Sequence, residues 1–406
     1  MIPAGLAADA GTTVLATLDP AAPLDDLEPL VERLRGARVV AIGETAHFVR
    51  EYALLRHRLL RLLVERCGFT AFGMESGFSE GLAVDAWTRG GPGDLADLGR
   101  DGITYRMGRC PEVRAQLAWM RAAGLPFAGL DVPGSNASPL PALRGVRRYL
   151  EVADPQALPL VDRLVAQVGR YADEHAPPAQ RRYAGLSRAD RDAMTAGLAD
   201  LAVHLDALDD GSEAHDVARH ELRLGCLLDL GMRGLMAMLT EGGPPTGVTA
   251  RDRGMAETVF RMLERGGPGA RVVVGAANSH IQRTPMPLPG VGEQSVLGSH
   301  LAARLGGAYV AIAVTAAAGT TTSRRADPDA PGGVAVVDVE LGAPVAGSIE
   351  AVVPGGHLVD LRGARGPGPE RIRVLDAYQP VPVLQAFDMV AVLDRISPVD
   401  RTEWAP

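Results

Sequence analysis

The sequence predicts an α/β fold: a mostly parallel central sheet flanked by helices, with a helical insertion roofing the crevice at one sheet edge. Two observations predict it. Short apolar runs rich in Val, Ile and Phe alternate with longer segments of helical periodicity, as in sheets covered by helices. A long stretch rich in Ala, Leu and Arg, without strand patterns, interrupts this alternation in the middle of the chain.

Six apolar runs are the candidate strands of this sheet. They are residues 38–43, 70–74, 127–131, 271–275, 309–314 and 389–393. Between the first two, Tyr52, Leu55, Leu59 and Leu62 recur at helical spacing. The pattern is strand, helix, strand, and such a crossover connects parallel strands.

The order of these patterns divides the chain into three parts. Residues 1–141 are predicted to form the first half of the α/β core, and residues 142–263 the helical insertion. Residues 264–406 are predicted to complete the core with C-terminal strands. Within them, residues 332–373 show short alternating patterns broken by Gly and Pro, which indicate hairpins or edge strands.

Composition favours a small-molecule ligand. The chain of 406 residues is 47% hydrophobic, enough to bury a full core. Its formal net charge is −8 and it has no basic run, which argues against a nucleic-acid partner. All 41 basic residues are arginine, so a lysine Schiff base is excluded and cationic roles fall to guanidinium groups.

The cysteines and the N-terminus predict a cytoplasmic protein. Cys67, Cys110 and Cys226 are far apart and form no CxxC motif, which fits neither a disulfide framework nor a zinc knuckle. The first twenty residues lack the basic start of a signal peptide. No run of about 18 apolar residues occurs, so we expect no membrane span.

Polar residues follow four of the predicted strands. In a parallel sheet these carboxyl ends share one edge, where ligands bind. The residues are Glu44, His47, Glu75, Asp131, Asn278 and His280. Arg56 lies on the helix after the first strand and could reach the same edge. Any one carboxylate here could be only a helix cap, but several converging polar groups can supply a general base, an orienting carboxylate and oxyanion donors.

Longer motifs around these residues resemble the erythromycin esterase family. Gly43-Glu44-Thr45-Ala46-His47, followed by the Arg56 helix, resembles the family's opening motif. Phe72-Gly73-Met74-Glu75 resembles its second strand. The segments 251–257 (RDRGMAE), 297–301 (LGSHL) and 387–388 (FD) are similar to later family motifs, so the likeness spans most of the chain.

The resemblance implies ester hydrolysis without a covalent intermediate and without a cofactor. His47 would be the general base on water, and Glu44 and Glu75 would orient or tune it. Arg56 and His280 would hold the carbonyl oxygen. Asp131, Asn278 and Ala277 are the expected substrate-binding residues, and the expected substrate is a macrolide or another polyketide-like molecule.

One position departs from the family pattern. The family has His-Asn-x-His where this chain has Ala277-Asn278-Ser279-His280. Alanine can neither transfer a proton nor donate a side-chain hydrogen bond. The departure raises an alternative function, a repurposed biosynthetic cyclase, dehydratase or lyase on the same scaffold.

Two other chemistries remain open from the residues alone. Gly77-Phe78-Ser79-Glu80-Gly81 satisfies the G-x-S-x-G pattern of a serine nucleophile, although Glu75 already occupies that strand end. Glu44, His47, Glu75 and His280 are all competent metal ligands. No metal-specific spacing such as HExxH occurs, so a metal-free site is the expectation.

Overall fold

This computed structural model describes residues 11–241, 247, 249–288 and 292–401 of the chain. The outermost ends of the two predicted core halves, residues 1–10 and 402–406, lie outside the described residues. Residues 242–246 and 248 of the predicted insertion also lie outside them.

The main sheet of the described residues contains nine strands, in the order β1-β10-β13-β8-β2-β5-β3-β4, with β9 paired to β8. The five pairs from β13 to β4 are parallel, and β1, β10 and β9 join antiparallel. The prediction of a mostly parallel sheet is therefore confirmed. The strands are β1 Thr12–Val14, β2 Val39–Ile42, β3 Ala71–Gly77, β4 Phe127–Asp131, β5 Val272–Gly275, β6 Met286–Leu288, β7 Gly292–Gln294, β8 Tyr309–Ala326, β9 Val334–Glu340, β10 His357–Asp360, β11 Arg371–Val374, β12 Ala377–Pro380 and β13 Met389–Ile396.

Helices cover both faces of the sheet. They are α1 Pro29–Leu34, α2 Arg50–Cys67, α3 Phe78–Thr88, α4 Leu95–Gly102, α5 Pro111–Ala123, α6 Leu140–Ala153, α7 Leu158–Gly169, α8 Ala176–Ala184, α9 Arg188–Ala207, α10 Glu213–Met236, α11 Ala250–Arg265, α12 Asn278–Ile281, α13 Leu297–Leu305 and α14 Val383–Ala386. None of these described helices is long and apolar enough to cross a membrane.

The sheet core is apolar on both faces, as expected for buried parallel strands. Along β2, Val40 and Ile42 pack into one cluster with the helix α2, whereas Val39 and Ala41 pack into the other. This alternation follows from the period of two in a strand. All six predicted strands are present, and β8 extends well past the predicted end at residue 314.

The described residues between β4 and β5 contain helices and no strand. Helices α6 to α10 share a separate apolar cluster that includes Leu143, Val161 and Leu198. Met255 and Val259 of α11, in contrast, pack with Val274 of the sheet. By its packing, α11, the last helix of the predicted insertion, is therefore part of the α/β core. The division at residues 141 and 263 stays a prediction.

The outer half of β8 forms an arm with β9. Ile42, the last residue of β2, pairs with Ile312, whereas β8 continues to Ala326. Its outer part pairs with β9 from Thr320 to Ala326. The arm therefore extends beyond the carboxyl ends of the neighbouring strands, where the predicted site residues lie.

Gly298 lets α13 approach the main chain of Ile281 closely. A Cβ at Gly298 would lie 2.1 Å from the main-chain oxygen of Ile281. We expect Gly298→Ala to lower the free energy of unfolding by about 1–3 kcal/mol, as in overpacked cores. The control is Gly269→Ala, where a Cβ meets no atom within 4 Å. Urea unfolding of both variants checks this, and equal stabilities would contradict the close approach.

Candidate active site

The predicted site residues come from four adjacent strands, β2, β5, β3 and β4. Glu44 and His47 follow β2, Glu75 lies within β3, and Asp131 ends β4. His280 lies on α12, just after β5. Their side chains form two hydrogen-bonded groups, which we call the Glu44 group (Glu44, His47, Arg56) and the Glu75 group (Glu75, Asp131, Arg251, Asp252, His280).

In the Glu44 group, one carboxylate holds a histidine and an arginine. Nδ1 of His47 lies 2.7 Å from Oε1 of Glu44, and Nη1 of Arg56 donates to Oε2 of Glu44 at 3.1 Å. The side chains of Glu44 and Arg56 are 9% and 6% exposed, so water screens this ion pair weakly. Since Nδ1–H faces a carboxylate, the lone pair of His47 is on Nε2. Among the described residues, Nε2 of His47 has no hydrogen-bond partner.

The Glu75 group is centred on Arg251, in the first turn of α11. Its Nε donates to Oδ1 of Asp131 at 2.9 Å, and its Nη2 donates to Oδ2 of Asp131 at 2.6 Å and to Oε1 of Glu75 at 2.8 Å. The main-chain N–H of Ala277 donates to Oε2 of Glu75 at 2.8 Å. Arg251 thus joins the ends of β3 and β4 to α11.

His280 is held between two carboxylates. Its Nδ1 lies 2.7 Å from Oδ1 of Asp252, and its Nε2 lies 3.3 Å from Oε1 of Glu75. Burial disfavours the imidazolium, but Asp252 and Glu75 outweigh burial and Arg251, and they raise the pKa of His280 to about 10. The ring therefore carries both protons at neutral pH. Nη1 of Arg251, 3.2 Å from Nε2, is then a like-charged neighbour held by its carboxylate partners.

Glu75 stays ionised in this setting. Burial opposes its charge, but His280, Arg251 and His47 together hold the pKa of this carboxyl well below its usual range. The ionised carboxylate of Glu75 attracts the imidazolium of His280, and a neutral residue in place of Glu75 would not. At neutral pH His280 is accordingly an electrostatic group and a hydrogen-bond donor, not a base.

Comparison with known proteins gives a consistent result. The sequence profile described as erythromycin esterase matches residues 64–395, most of the chain. The chain belongs to the erythromycin esterase family. The matched range contains Glu75, Asp131, Arg251 and His280, and it begins after Glu44 and His47.

Two curated erythromycin esterases are similar to this chain. The type II enzyme of Escherichia coli is 27% identical over 396 residues, which cover 92% of this chain and 93% of that enzyme. The type I enzyme of the same organism is 29% identical over 300 residues, which cover 72% of this chain and 73% of that enzyme.

Solved structures show the fold of the erythromycin esterase family. A mutant of the erythromycin esterase EreC in its open conformation superposes with a TM-score of 0.84 at 24% identity, covering 96% of this chain and 99% of that one. A succinoglycan biosynthesis protein superposes with a TM-score of 0.76 at 20% identity, covering 96% of this chain and 95% of that one.

Two predicted residues of this family member have contacts that differ from their expected roles. Arg56 was expected to hold the carbonyl oxygen, but its Nη1 and Nε donate to Glu44 and to Gln116. Asn278 was expected to bind substrate, but its side chain pairs with both main-chain groups of Val314, at 2.9 and 3.1 Å. Both side chains are buried and hold the scaffold of the site.

A close packing between loops explains the glycine before Glu44. A Cβ at Gly43 would lie 1.8 Å from Oδ1 of Asn278. The main-chain N–H of Asn278 in turn donates to the main-chain oxygen of Glu44 at 2.9 Å. Gly43 therefore lets Asn278 connect the loop after β2 to β8, and this connection sets the height of Glu44 above the sheet.

Arg251 and Asp252 were missed as site residues. The motif Arg251-Asp252-Arg253-Gly254-Met255 contributed to the resemblance, yet it was assigned only to a helix start. The motif was the available signal, because an Arg-Asp pair in the first turn of a helix can meet charged partners at a neighbouring strand end. Tyr105, whose ring stacks on His47 with centroids 5.8 Å apart, had no sequence signal.

Ser79, the candidate serine nucleophile, has no hydrogen-bonded histidine among the described residues. Ser79 lies in the first turn of α3, and its buried Oγ has no hydrogen bond to any described residue. A serine nucleophile requires an adjacent base. Neither His47 nor His280 takes this role, since no histidine nitrogen among the described residues forms a hydrogen bond with Oγ of Ser79.

A metal-free site remains the expectation from the sequence. Within the described residues, Asp209, Asp210 and His215 are the group whose ligand atoms lie close enough together to share an ion, and they lie where α9 connects to α10. Glu44, His47, Glu75 and His280 do not form such a group. Their carboxylates are instead bound by Arg56 and Arg251.

The raised pKa of His280 predicts a pH-dependent stability. Between pH 6.5 and about 10, the folded state binds a proton on His280 that the unfolded state lacks. The stabilisation is therefore complete below pH 6.5 and is lost as pH rises to about 10. We expect urea unfolding to show that wild-type stability falls across this window more steeply than that of His280→Asn. Parallel curves would contradict this assignment of charge.

Proposed function

We propose that this protein hydrolyses an ester or lactone bond in a polyketide-sized molecule, with water activated by His47. The observation that carries the proposal is the Glu44–His47 pair, in which the 2.7 Å contact at Nδ1 directs the lone pair of Nε2 away from Glu44. The similarity to two erythromycin esterases supports the ester class and the macrolide size of the substrate.

The proposed reaction begins at Nε2 of His47, the ring nitrogen that does not contact Glu44. Nε2 of His47 takes a proton from water while the water oxygen bonds to the carbonyl carbon, and the carbonyl electron pair moves to oxygen. Glu44 stabilises the imidazolium that forms, and Arg56 orients Glu44 through its hydrogen bond to Oε2. When the carbon–oxygen bond to the leaving alcohol breaks, His47 returns the proton to that alcohol.

The Glu75 group supports this reaction electrostatically. Two cations, Arg251 and His280, face the three carboxylates of Glu75, Asp131 and Asp252. Fixed charges at a buried site need no reorganisation when the transition state forms. We propose that the group holds the substrate carbonyl near His47, with Ala277 and Asp131 beside the substrate.

We further propose that the helical segment roofs the crevice with the β8–β9 arm. Gly332 at the arm's tip approaches His175, just before α8, so closely that a Cβ there would lie 2.7 Å from the Cβ of His175. The arm starts beside His47, because Oγ1 of Thr322 donates to the main-chain oxygen of His47 at 2.5 Å. The arm therefore contacts His47 near its base and the helical segment at its tip.

The decisive assay reads product masses. Incubation with erythromycin and with p-nitrophenyl esters should give products heavier than substrate by one water in total. An unchanged mass would mean cyclisation or isomerisation, and a lighter product would mean elimination, which are the outcomes expected of a repurposed enzyme.

His47→Ala should lower kcat by about 10²–10⁴-fold, the usual contribution of a general base. Loss of the His47 side chain leaves the Glu44–Arg56 ion pair in place, so the fold should survive. Steady-state kinetics on the most active ester measure the effect. Ser79→Ala is the matched control and should keep most activity. Near wild-type activity of His47→Ala, or a fluorophosphonate adduct on Ser79, would contradict the proposed base.

Ala277→His separates hydrolysis from a repurposed reaction. The family places an imidazole at this position, and the main chain here already contacts Glu75. If the protein hydrolyses esters, the added donor should leave hydrolysis intact or raise it severalfold. Ala277→Phe has similar bulk without donors and should slow the reaction. Loss of native turnover in both variants, with no ester hydrolysis gained, would favour the non-hydrolytic alternative.

A further inference from the structure

The segment that carries Tyr105 has a strained backbone. Between α4 and α5, Tyr105 has φ 56° and ψ 20°, and Arg106 has φ 62° and ψ 16°. These values lie in the left-handed region, where a non-glycine residue costs on the order of 1–3 kcal/mol. Two consecutive residues of this kind persist only where the surroundings hold them, and such strain is concentrated at functional sites.

Contacts on both sides of Tyr105 hold this conformation. On the N-terminal side, Thr104 accepts from the main-chain N–H of Gly77 at 2.8 Å and donates its own to Oγ of Ser76 at 2.9 Å. On the C-terminal side, a Cβ at Gly99 would lie 2.3 Å from the oxygen of Gly108, so two main-chain segments touch. The Tyr105 segment is thereby fixed to β3, the strand of Glu75.

The ring of Tyr105 covers His47. The two rings stack with an interplanar angle of 24°. Cζ of Arg324, on the β8–β9 arm, lies 5.4 Å from the centroid of the Tyr105 ring. Contacts with His47 and with Arg324 of the arm therefore hold the ring of Tyr105 in position.

The hydroxyl of Tyr105 is a protonated donor without a partner among the described residues. Burial, with Asp131 and Glu75, outweighs the opposing charges of Arg251 and Arg324 and raises the pKa of this phenol. The hydroxyl therefore keeps its proton across the working pH range. Three of these charges, Arg251, Asp131 and Glu75, belong to the Glu75 group, so Tyr105 lies between His47 and that group.

Two nitrogens of each arginine at this edge are engaged within the protein. Arg56 donates to Glu44 and Gln116. Arg251 donates through Nε and Nη2 to Asp131 and Glu75. These bonds satisfy the carboxylates of Glu44, Asp131 and Glu75 and the amide oxygen of Gln116, whereas the O–H of Tyr105 remains available to a ligand. A donor that is preorganised and unengaged suits a charge that develops only in the transition state.

We propose that Tyr105 is a catalytic residue whose hydroxyl donates a hydrogen bond to the substrate carbonyl oxygen as His47-activated water attacks. The inference rests on the proposed hydrolysis. In this step the water oxygen bonds to carbon, the water proton goes to Nε2 of His47, and the carbonyl electron pair moves to the oxygen that Tyr105 stabilises. Tyr105 keeps its own proton throughout.

Tyr105→Phe isolates the hydroxyl, because it retains the ring, its stacking on His47 and the same backbone. We expect kcat on a p-nitrophenyl ester or erythromycin to fall about 10²–10³-fold, as when one oxyanion donor is removed. KM should change little. The Kd of a phosphonate analogue of the tetrahedral intermediate should weaken by a similar factor, since the analogue carries the developed charge.

Two controls separate catalysis from structure. Tyr149→Phe, on α6 away from the site, should keep wild-type kinetics. Thermal unfolding of Tyr105→Phe should match the wild type. A purely structural role of Tyr105 would lower its Tm and leave the ratio of phosphonate to substrate affinity unchanged, which would overturn the inference.

The same assays distinguish the two proposals. If His47→Ala loses ester hydrolysis while Tyr105→Phe keeps kcat within about threefold, hydrolysis stands and the role of Tyr105 is wrong. If the wild-type enzyme hydrolyses neither the p-nitrophenyl esters nor erythromycin, the proposed function fails and the inference falls with it. A kcat loss with matching loss of phosphonate affinity supports both.

Discussion

Neutralisation of buried carboxylates is the constraint on which the rest of this edge depends. Glu75 and Asp131 end neighbouring parallel strands, 4% and 1% exposed, where water cannot solvate their charges. Arg251 donates to both. Without it, Asp131 would keep no counterion among the described residues and Glu75 would keep only His280, and a buried charge without its partner typically costs several kcal/mol. The position of α11 on the sheet follows from this demand.

The need to neutralise buried carboxylates also determines how the two histidines of the site are held. Because Glu75 stays ionised, it can hold His280 as an imidazolium together with Asp252. Because Glu44 is held by Arg56, its second oxygen can orient His47. The two histidines thus receive opposite environments from the same residue types, with two carboxylates around His280 and one arginine-bound carboxylate beside His47. Such a difference is the usual basis for dividing an acidic role from a basic one.

The roof that we propose for the site is formed by elements that leave the sheet. The β8–β9 arm continues a core strand beyond its neighbours, and the Tyr105 segment folds over His47 in a strained conformation. Both are fixed by contacts to the strands beneath, through Thr322 and Thr104. Rigid placement by the strands allows irregular segments to hold functional side chains with little freedom.

Local patterns in the sequence determined six of the strands, their mostly parallel pairing and one part of the candidate site. Apolar runs with helical crossovers predict a parallel sheet, whose carboxyl ends share an edge. Glu44 and His47 are three residues apart on one loop, so their pairing is within reach of a sequence argument. The family resemblance rested on motifs of the same short range.

Tertiary structure alone decided the partners of the charges. Arg251 meets Asp131 across 120 residues of sequence and Glu75 across 176, and no local pattern encodes such distances. Arg56 donates to Glu44, and whether an arginine at this position faces substrate or Glu44 depends on how α2 packs on the sheet. Tyr105 lies over His47 because Ser76 and Gly77 hold Thr104. Backbone strain of this kind arises from distant contacts, so the sequence around Tyr105 carries no sign of it.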